Sequence, residues 1–197
     1  MKALRQIDVQ EVTAAVLPDY ELKFYGNDLS PFSKQLVETS AAFVQPAKSV
    51  SDVEKTRSVV HGVLYTLSEQ DFVKVGQTEG VPWGYRWQKC EVYPYVGDGE
   101  TAGWDAVHNP QSLPIEAYTL VPPNTKRMTE VPPSSSYLGL IQQGAELWRF
   151  DLAYRDQLSR VEAATNLIIS DGISELALRV AERASGIDRN YKIGIGK

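Results

Sequence analysis

The sequence is poor in the residues that build disulfides and metal sites. It has one cysteine, Cys90, and two histidines, His61 and His108, in 197 residues. A lone cysteine excludes an internal disulfide framework, which fits a reducing compartment. No pair of residues has the HxxxH or CxxC spacing of metal ligands. We therefore expect no bound zinc or other metal, and no cofactor.

The sequence also lacks long apolar runs and any concentration of basic residues. No run approaches the roughly 18 residues that a membrane-spanning helix needs, and the first residues lack the apolar stretch of a secretory signal. Lys and Arg total 20 against 25 Asp and Glu, so the net charge is −5 and phosphate backbones would be repelled. We therefore expect no membrane span and no nucleic-acid partner. The expected location is the cytoplasm, or an organelle if an upstream segment has been removed.

The composition that is present is that of an ordinary soluble globular domain, with 43% hydrophobic and 23% charged residues. Alternating and β-branched residues predict strands over 16–25, 40–45, 58–67, 85–96 and 115–121, with loops over 26–34, 97–114 and 122–133. Residues 1–10 are compatible with a helix. Helical spacing predicts helices after Ser68, from Ser135 or Ser136 to Leu147, over 154–161 and over 173–184. Because strands precede helices, the predicted fold class is α+β.

The helix that begins after Ser68 is well delimited by the sequence. Ser68-Glu69-Gln70-Asp71 approximates a capping box, and apolar residues follow at helical spacing. The helix must end before Gly80. This leaves Glu79 at the junction between the helix and the next strand, where composition alone would make it an exposed acid.

An ordered set of short motifs resembles the γ-glutamylcyclotransferase-like family. The motifs are Gly62-Val63-Leu64-Tyr65-Thr66-Leu67, Glu79-Gly80-Val81, Tyr85-Arg86, Ala117-Tyr118-Thr119-Leu120, Pro133-Ser134-Ser135-Ser136-Tyr137, Gly144-Ala145, and Tyr154 with Leu158. They keep the family's order and similar spacing between residues 17 and 162.

The resemblance implies a small mixed β-barrel of about six strands flanked by helices, with an extra C-terminal helix. It divides the chain into a γ-glutamylcyclotransferase-like domain over 1–165 and a C-terminal amphipathic helix and tail over 166–197. Several members release an amine from a γ-glutamyl amide by cyclising the glutamyl unit to 5-oxoproline. This transferase- or lyase-type reaction belongs to glutathione metabolism. The implied ligand is therefore a small γ-glutamyl substrate.

The resemblance also implies roles for individual residues. Glu79 matches the family's general acid/base. Tyr118, Tyr137, Ser134 and Tyr85 match positions for binding substrate, although packing explains the tyrosines as well and helix capping explains Ser134 as well. We expect Glu79 to be at least half buried and to line the main pocket, because proton transfer at neutral pH requires a carboxyl group with a raised pKa.

The implied reaction needs few catalytic groups from the protein. The substrate's own α-amine attacks its δ-carbonyl, so nucleophile and electrophile are already linked and intramolecularity lowers the barrier by several kcal/mol. What remains is to remove a proton from the ammonium group and to give one to the leaving nitrogen. One carboxylate in a partly apolar pocket can do both, for on the order of 10²–10⁴ in rate.

The sequence departs from the family at its start. Family members open with a strand and a Tyr-Gly-Ser-Asn type loop that holds the substrate's α-carboxylate and α-amine, and no segment here matches that loop. Tyr25-Gly26-Asn27 follows a segment that resembles the family's second strand. Three hypotheses remain open: a cyclotransferase with a rebuilt loop, a non-catalytic binding or assembly subunit on the same fold, or a related lyase or isomerase that uses Glu79 as a base.

Two C-terminal features lie beyond the resemblance. The helix predicted over 173–184 has an apolar face that should pack on the domain, on a second copy or on a protein partner. The tail over 190–197 alternates Tyr191, Ile193 and Ile195, which is typical of a half-buried strand. It could replace the missing first strand, or it could be a disordered basic tail.

Overall fold

A computed structural model describes residues 7–26, 40–47, 58–123 and 128–164. These residues contain six strands and four helices. In chain order they are β1 (Val9–Pro18), β2 (Tyr20–Gly26), β3 (Ser40–Pro46), β4 (Val59–Leu67), α1 (Glu69–Thr78), β5 (Arg86–Tyr95), α2 (Ala102–His108), β6 (Ile115–Val121), α3 (Ser135–Leu147) and α4 (Leu152–Ser159). The predicted α+β class is confirmed. The predicted C-terminal helix and tail lie outside the described residues.

The strands form two antiparallel sheets. The larger sheet has the order β4-β1-β5-β6, and the smaller one pairs β2 with β3. β1 pairs with β4 along its whole length but with β5 only at Ala14, Ala15 and Val16. Residues 86–92 of β5 pair with β6 instead. Six strands and flanking helices agree with the predicted fold. The predicted barrel must be corrected, because the described strands remain in two sheets and do not close into a barrel.

The N-terminal strands differ from the prediction in their bounds. The sequence predicted one strand over 16–25, whereas two strands meet at Asp19, which has a φ of 61°. The Asp19 N–H donates to the carbonyl oxygen of Ser58 at 2.9 Å and fixes this corner. Residues 9–10, which are compatible with a helix, instead begin β1. Pairing with β4 therefore overrides local helix propensity.

The observed helix ends can be compared with those that local sequence signals predicted. Ser68 caps α1 as predicted, since its hydroxyl accepts from the Asp71 N–H at 3.1 Å. The cap of α3 is Ser134, one residue before the predicted choice, and it accepts from the Tyr137 N–H at 3.2 Å. Helix α4 ends before Val161, so the predicted third helix was too long.

Helix α2 lies within the region that was predicted to be a loop. It has only seven residues, and its buried Gly103 lies directly over β1 and β4. A Cβ atom at Gly103 would overlap the His61 ring and lie 2.8 Å from Val16 Cγ2. Close tertiary packing therefore holds a helix that is too short to show a clear sequence pattern.

The core fills both faces of the large sheet. Val16 is fully buried on the face that α2 covers, together with Phe150 and Tyr154 from the C-terminal part. Leu17 and Val92 are buried in the same core, and Val44 from β3 packs against it. The small sheet therefore belongs to the same domain as the large one.

Candidate active site

Glu79 lies at the C-cap of α1, where the sequence predicted the helix to end. Its N–H donates to the Val75 carbonyl at 3.0 Å, and its backbone has a φ of −90° and a ψ of 0°. Gly80 then takes a φ of 72°, a conformation that glycine adopts without strain. Gly80 therefore ends the helix directly after Glu79 and so fixes the backbone position from which the Glu79 side chain extends.

The loop after Glu79 is held by its own backbone hydrogen bonds. The Val81 N–H donates to Gly76 at 2.9 Å, and those of Trp83 and Gly84 donate to Gly80 at 2.8 and 2.7 Å. A Cβ atom at Gly84 would lie 3.2 Å from the Glu79 carbonyl oxygen, so the loop folds tightly against the helix end. The result is a rigid support for one carboxylate.

Tyr85 lies near both Glu79 and Tyr137. Burial raises the pKa of Tyr85, and the nearby charges of Glu79 and Tyr137 raise it further. The Tyr85 ring packs on Phe43 with 5.7 Å between centroids. The Tyr137 hydroxyl accepts a hydrogen bond from the Ala42 N–H at 3.1 Å. The end of α1, the start of β5, strand β3 and helix α3 thus meet around one carboxylate and two phenols.

This arrangement can move protons and orient a polar ligand. Glu79 is more than half buried, which agrees with expectation. A carboxylate shielded in part from water can accept and return a proton, and two phenol groups can donate or accept hydrogen bonds beside it.

Ser134 and Tyr118 occupy different surroundings. Ser134 is fully buried and caps the helix that carries Tyr137, so it supports the site through that helix. Tyr118 is half exposed on β6 and its ring meets Phe72 at 5.6 Å between centroids. The structure thus brings Tyr85 near Glu79 and Tyr137 near Tyr85, whereas Tyr118 lines a cavity that Glu79 does not line. Their roles in substrate binding stay predictions.

The largest cavity described lies between β4 and β6 and has a volume of about 960 Å³. Its walls include Leu64, Phe72 and Ala117, and a second cavity of about 150 Å³ adjoins the same two strands. Glu79 lines neither cavity. The expectation that Glu79 lines the main pocket is not met by either of these two cavities, and it stays a prediction.

His61, which falls within the strand predicted over 58–67, belongs to a buried cluster that the sequence did not reveal. His61 Nδ1 is 2.6 Å from the Tyr95 hydroxyl, and Nε2 is 3.7 Å from Asp151 Oδ2. The Asp151 carboxylate also accepts from the backbone N–H groups of Gly103 and Trp104, at 2.9 and 2.7 Å. The residues of this cluster are far apart in the sequence, so no local motif could have revealed the cluster.

Burial governs the electrostatics of this cluster. It lowers the pKa of His61 to about 4, although Asp151 opposes the shift. It also raises the pKa of Tyr95 and of Tyr154. Neutral His61 can accept from the Tyr95 hydroxyl at Nδ1 and present Nε2–H toward Asp151. The cluster links β4, β5, α2 and the start of α4, which is a structural role.

Neither metal ligation nor membrane insertion is indicated by the described residues. Within residues 7–26, 40–47, 58–123 and 128–164, no three His, Cys, Asp or Glu side chains come together as a metal site would require. In the same ranges no helix has the length and apolarity needed to cross a bilayer.

The fold matches two solved structures throughout most of its length. One is a γ-glutamyl cyclotransferase, with 17% sequence identity, a TM-score of 0.63 and 90% of each chain covered. The other is the uncharacterized human protein loc79017, with 18% identity, a TM-score of 0.61, and 84% of this chain and 82% of that chain covered. No protein-family model and no curated protein sequence matches the chain. The chain therefore has a γ-glutamylcyclotransferase-like fold.

Proposed function

We propose that the chain is a γ-glutamylcyclotransferase-type enzyme, which converts a γ-glutamyl amide to 5-oxoproline and a free amine. The observation that carries the proposal is the position of Glu79. It stands at a hydrogen-bonded helix end near Tyr85, which in turn lies near Tyr137, in a fold similar to that of a γ-glutamyl cyclotransferase. The substrate is a small molecule, and the reaction balances without a cofactor.

In this mechanism Glu79 is the general acid/base. It takes a proton from the substrate's α-ammonium group, and the free amine attacks the δ-carbonyl carbon to form the ring C–N bond. The tetrahedral intermediate then collapses, the original amide C–N bond breaks, and Glu79 returns the proton to the leaving nitrogen. The ring nitrogen loses its second hydrogen as a proton, which the released amine takes up to become an ammonium ion. The carboxylate ends each cycle in the form in which it began.

Tyr85 and Tyr137 position the substrate in this proposal. Both hydroxyl groups can form hydrogen bonds with carboxylate or carbonyl oxygens. Ser134 acts indirectly, since it caps the helix that holds Tyr137. Tyr118 would contact only a substrate long enough to reach the wall of the large cavity.

A panel of γ-glutamyl amides tests the proposal. The purified chain should release 5-oxoproline and free amine in equal amounts from at least one member. The matched control is the same substrate with an acetylated α-amine, which cannot cyclise and should give no product. Absence of 5-oxoproline with every free-amine substrate would overturn the enzymatic proposal.

A second proposal is a non-catalytic binding or assembly subunit on the same fold. The observation in its favour is that the largest described cavity is bordered by strand edges and is not lined by Glu79. Such a subunit should form a stable complex with a protein partner during gentle purification from its own cells. A chain that turns over a γ-glutamyl amide and elutes alone would reject this second proposal.

A further inference from the structure

The large sheet has two edge strands, and both border the same groove. Among the described residues, β4 pairs only with β1 and β6 pairs only with β5. Val63 and Leu64 of β4 and Ala117 and Thr119 of β6 line both cavities between these strands. Residues of both edge strands therefore line one cavity of about 960 Å³, whose walls also include residues of β1, β5 and α1.

Unpaired strand edges favour one kind of occupant. Their N–H and C=O groups stand in rows that an added strand can bond, which is the basis of β-strand addition. Within β4, a Cβ atom at Gly62 would have no atom within 4 Å, so there is open space beside the middle of this strand. A backbone can approach closely there.

The groove also has a distinctive charge. Among the described residues, the charged side chains that line the large cavity are those of Glu11, Glu69 and Glu116, and no lysine, arginine or histidine lines it. Glu116 is held by Lys89 at 2.6 Å, which leaves the other two acids to dominate the opening. Most other lining side chains are apolar. The groove thus suits a strand with alternating apolar residues and positive charge.

We propose that residues 190–197 of the same chain dock in this groove as a strand between β4 and β6. The segment Asn190-Tyr191-Lys192-Ile193-Gly194-Ile195-Gly196-Lys197 places three apolar residues on one face of a strand. Lys197 lies on the same face as these apolar residues and Lys192 on the opposite face, so the strand also carries positive charge into a groove with an acidic lining. Added there, the strand closes the seam of the sheet.

The chain is long enough for this docking to occur within one molecule. The described part ends at Ala164, whose N–H donates to the Pro133 carbonyl at 2.8 Å. Residues 165–189 connect this point to the tail, and with the helix predicted over 173–184 and the rest extended they could span about 60 Å. A second copy of the chain is therefore not required as donor.

The experiment uses a variant truncated after Arg189 and a fluorescent synthetic peptide of residues 190–197. We expect the peptide to bind the truncated chain and to bind the full chain at least about tenfold more weakly, because the full chain's own tail occupies the groove. Hydrogen exchange of β4 and β6 amides should speed up on truncation and slow again with peptide. A peptide of the same composition in scrambled order is the control.

A substitution in the groove separates docking from general stability. Gly62→Val adds a β-branched side chain where nothing lies within 4 Å, so it should preserve folding and weaken peptide binding roughly tenfold. Equal exchange rates with and without the tail, or failure of the peptide to bind, would overturn the proposal. A concentration-dependent dimer that disappears on truncation would also overturn it, since the donor would then be a second copy. None of these readouts depends on catalytic activity.

Discussion

His61 lies in the core with its ring 4.7 Å from that of Tyr154, and burial lowers its pKa to about 4 from an ordinary value of 6.5. Asp151 faces Nε2 and Tyr95 faces Nδ1. Between pH 6.5 and 4 the unfolded chain therefore binds a proton that the folded chain does not. Stability from this residue is complete above the unfolded pKa and is lost as the pH falls.

The pH dependence of unfolding tests this account of His61. Urea unfolding should show a loss of up to about 3 kcal/mol between pH 6.5 and 4, at about 1.4 kcal/mol per pH unit. His61→Gln should flatten this slope, whatever it does to stability at neutral pH. His108→Gln is the matched control, because His108 is exposed. An unchanged slope in His61→Gln would show that another group causes the loss.

The two phenol groups near Glu79 make a second prediction at this scale. Tyr85→Phe should lower kcat/KM roughly tenfold, since one hydrogen bond to a charged group is worth about 1.5–3 kcal/mol. Tyr137→Phe should also destabilise β3 by about 1 kcal/mol, because the Ala42 N–H loses its acceptor. Steady-state kinetics and thermal unfolding separate the two effects. Tyr93→Phe on β5 is the control, and equal kinetics in all three variants would remove the tyrosines from the site.

Local signals predicted the elements that depend on local physics. Ser68 and Gly80 bracket α1, so the sequence placed Glu79 at a helix end without any tertiary information. Strand β4 was found because its residues are strongly β-forming. Helix α2 was missed because the N–H groups of Gly103 and Trp104 in its first turn donate to Asp151. This acceptor lies 48 and 47 residues away in the sequence. Long-range contacts of this kind leave no signature in a sequence window.

Two glycine substitutions test how the helices pack. Gly103→Ala should destabilise the fold by about 1–3 kcal/mol, because the new methyl group would overlap His61 and crowd Val16. Gly144→Ala in α3 meets no atom within 4 Å and should stabilise by about 0.5–1 kcal/mol. Chemical denaturation measures both changes. Equal stability of the two variants would contradict the close contact between α2 and the sheet.

At the scale of the whole molecule, the sequence predicted the fold better than the site. The ordered motifs led to a γ-glutamylcyclotransferase-like fold, which the structural matches support. Those motifs could not show that the described strands stay in two sheets, or which residues line the largest described cavity. Both depend on how β1 divides its pairing between β4 and β5, and on which side of the sheet the end of α1 faces.

The central claim is that Glu79 moves the proton in 5-oxoproline formation, and the most direct measurement compares turnover by the wild-type chain and Glu79→Gln. We expect kcat to fall by about 10²–10⁴ with no change in melting temperature, because glutamine keeps the shape of the side chain but cannot accept the proton. Glu146→Gln, an exposed change on α3, should retain full activity. Full 5-oxoproline release by Glu79→Gln would contradict the account.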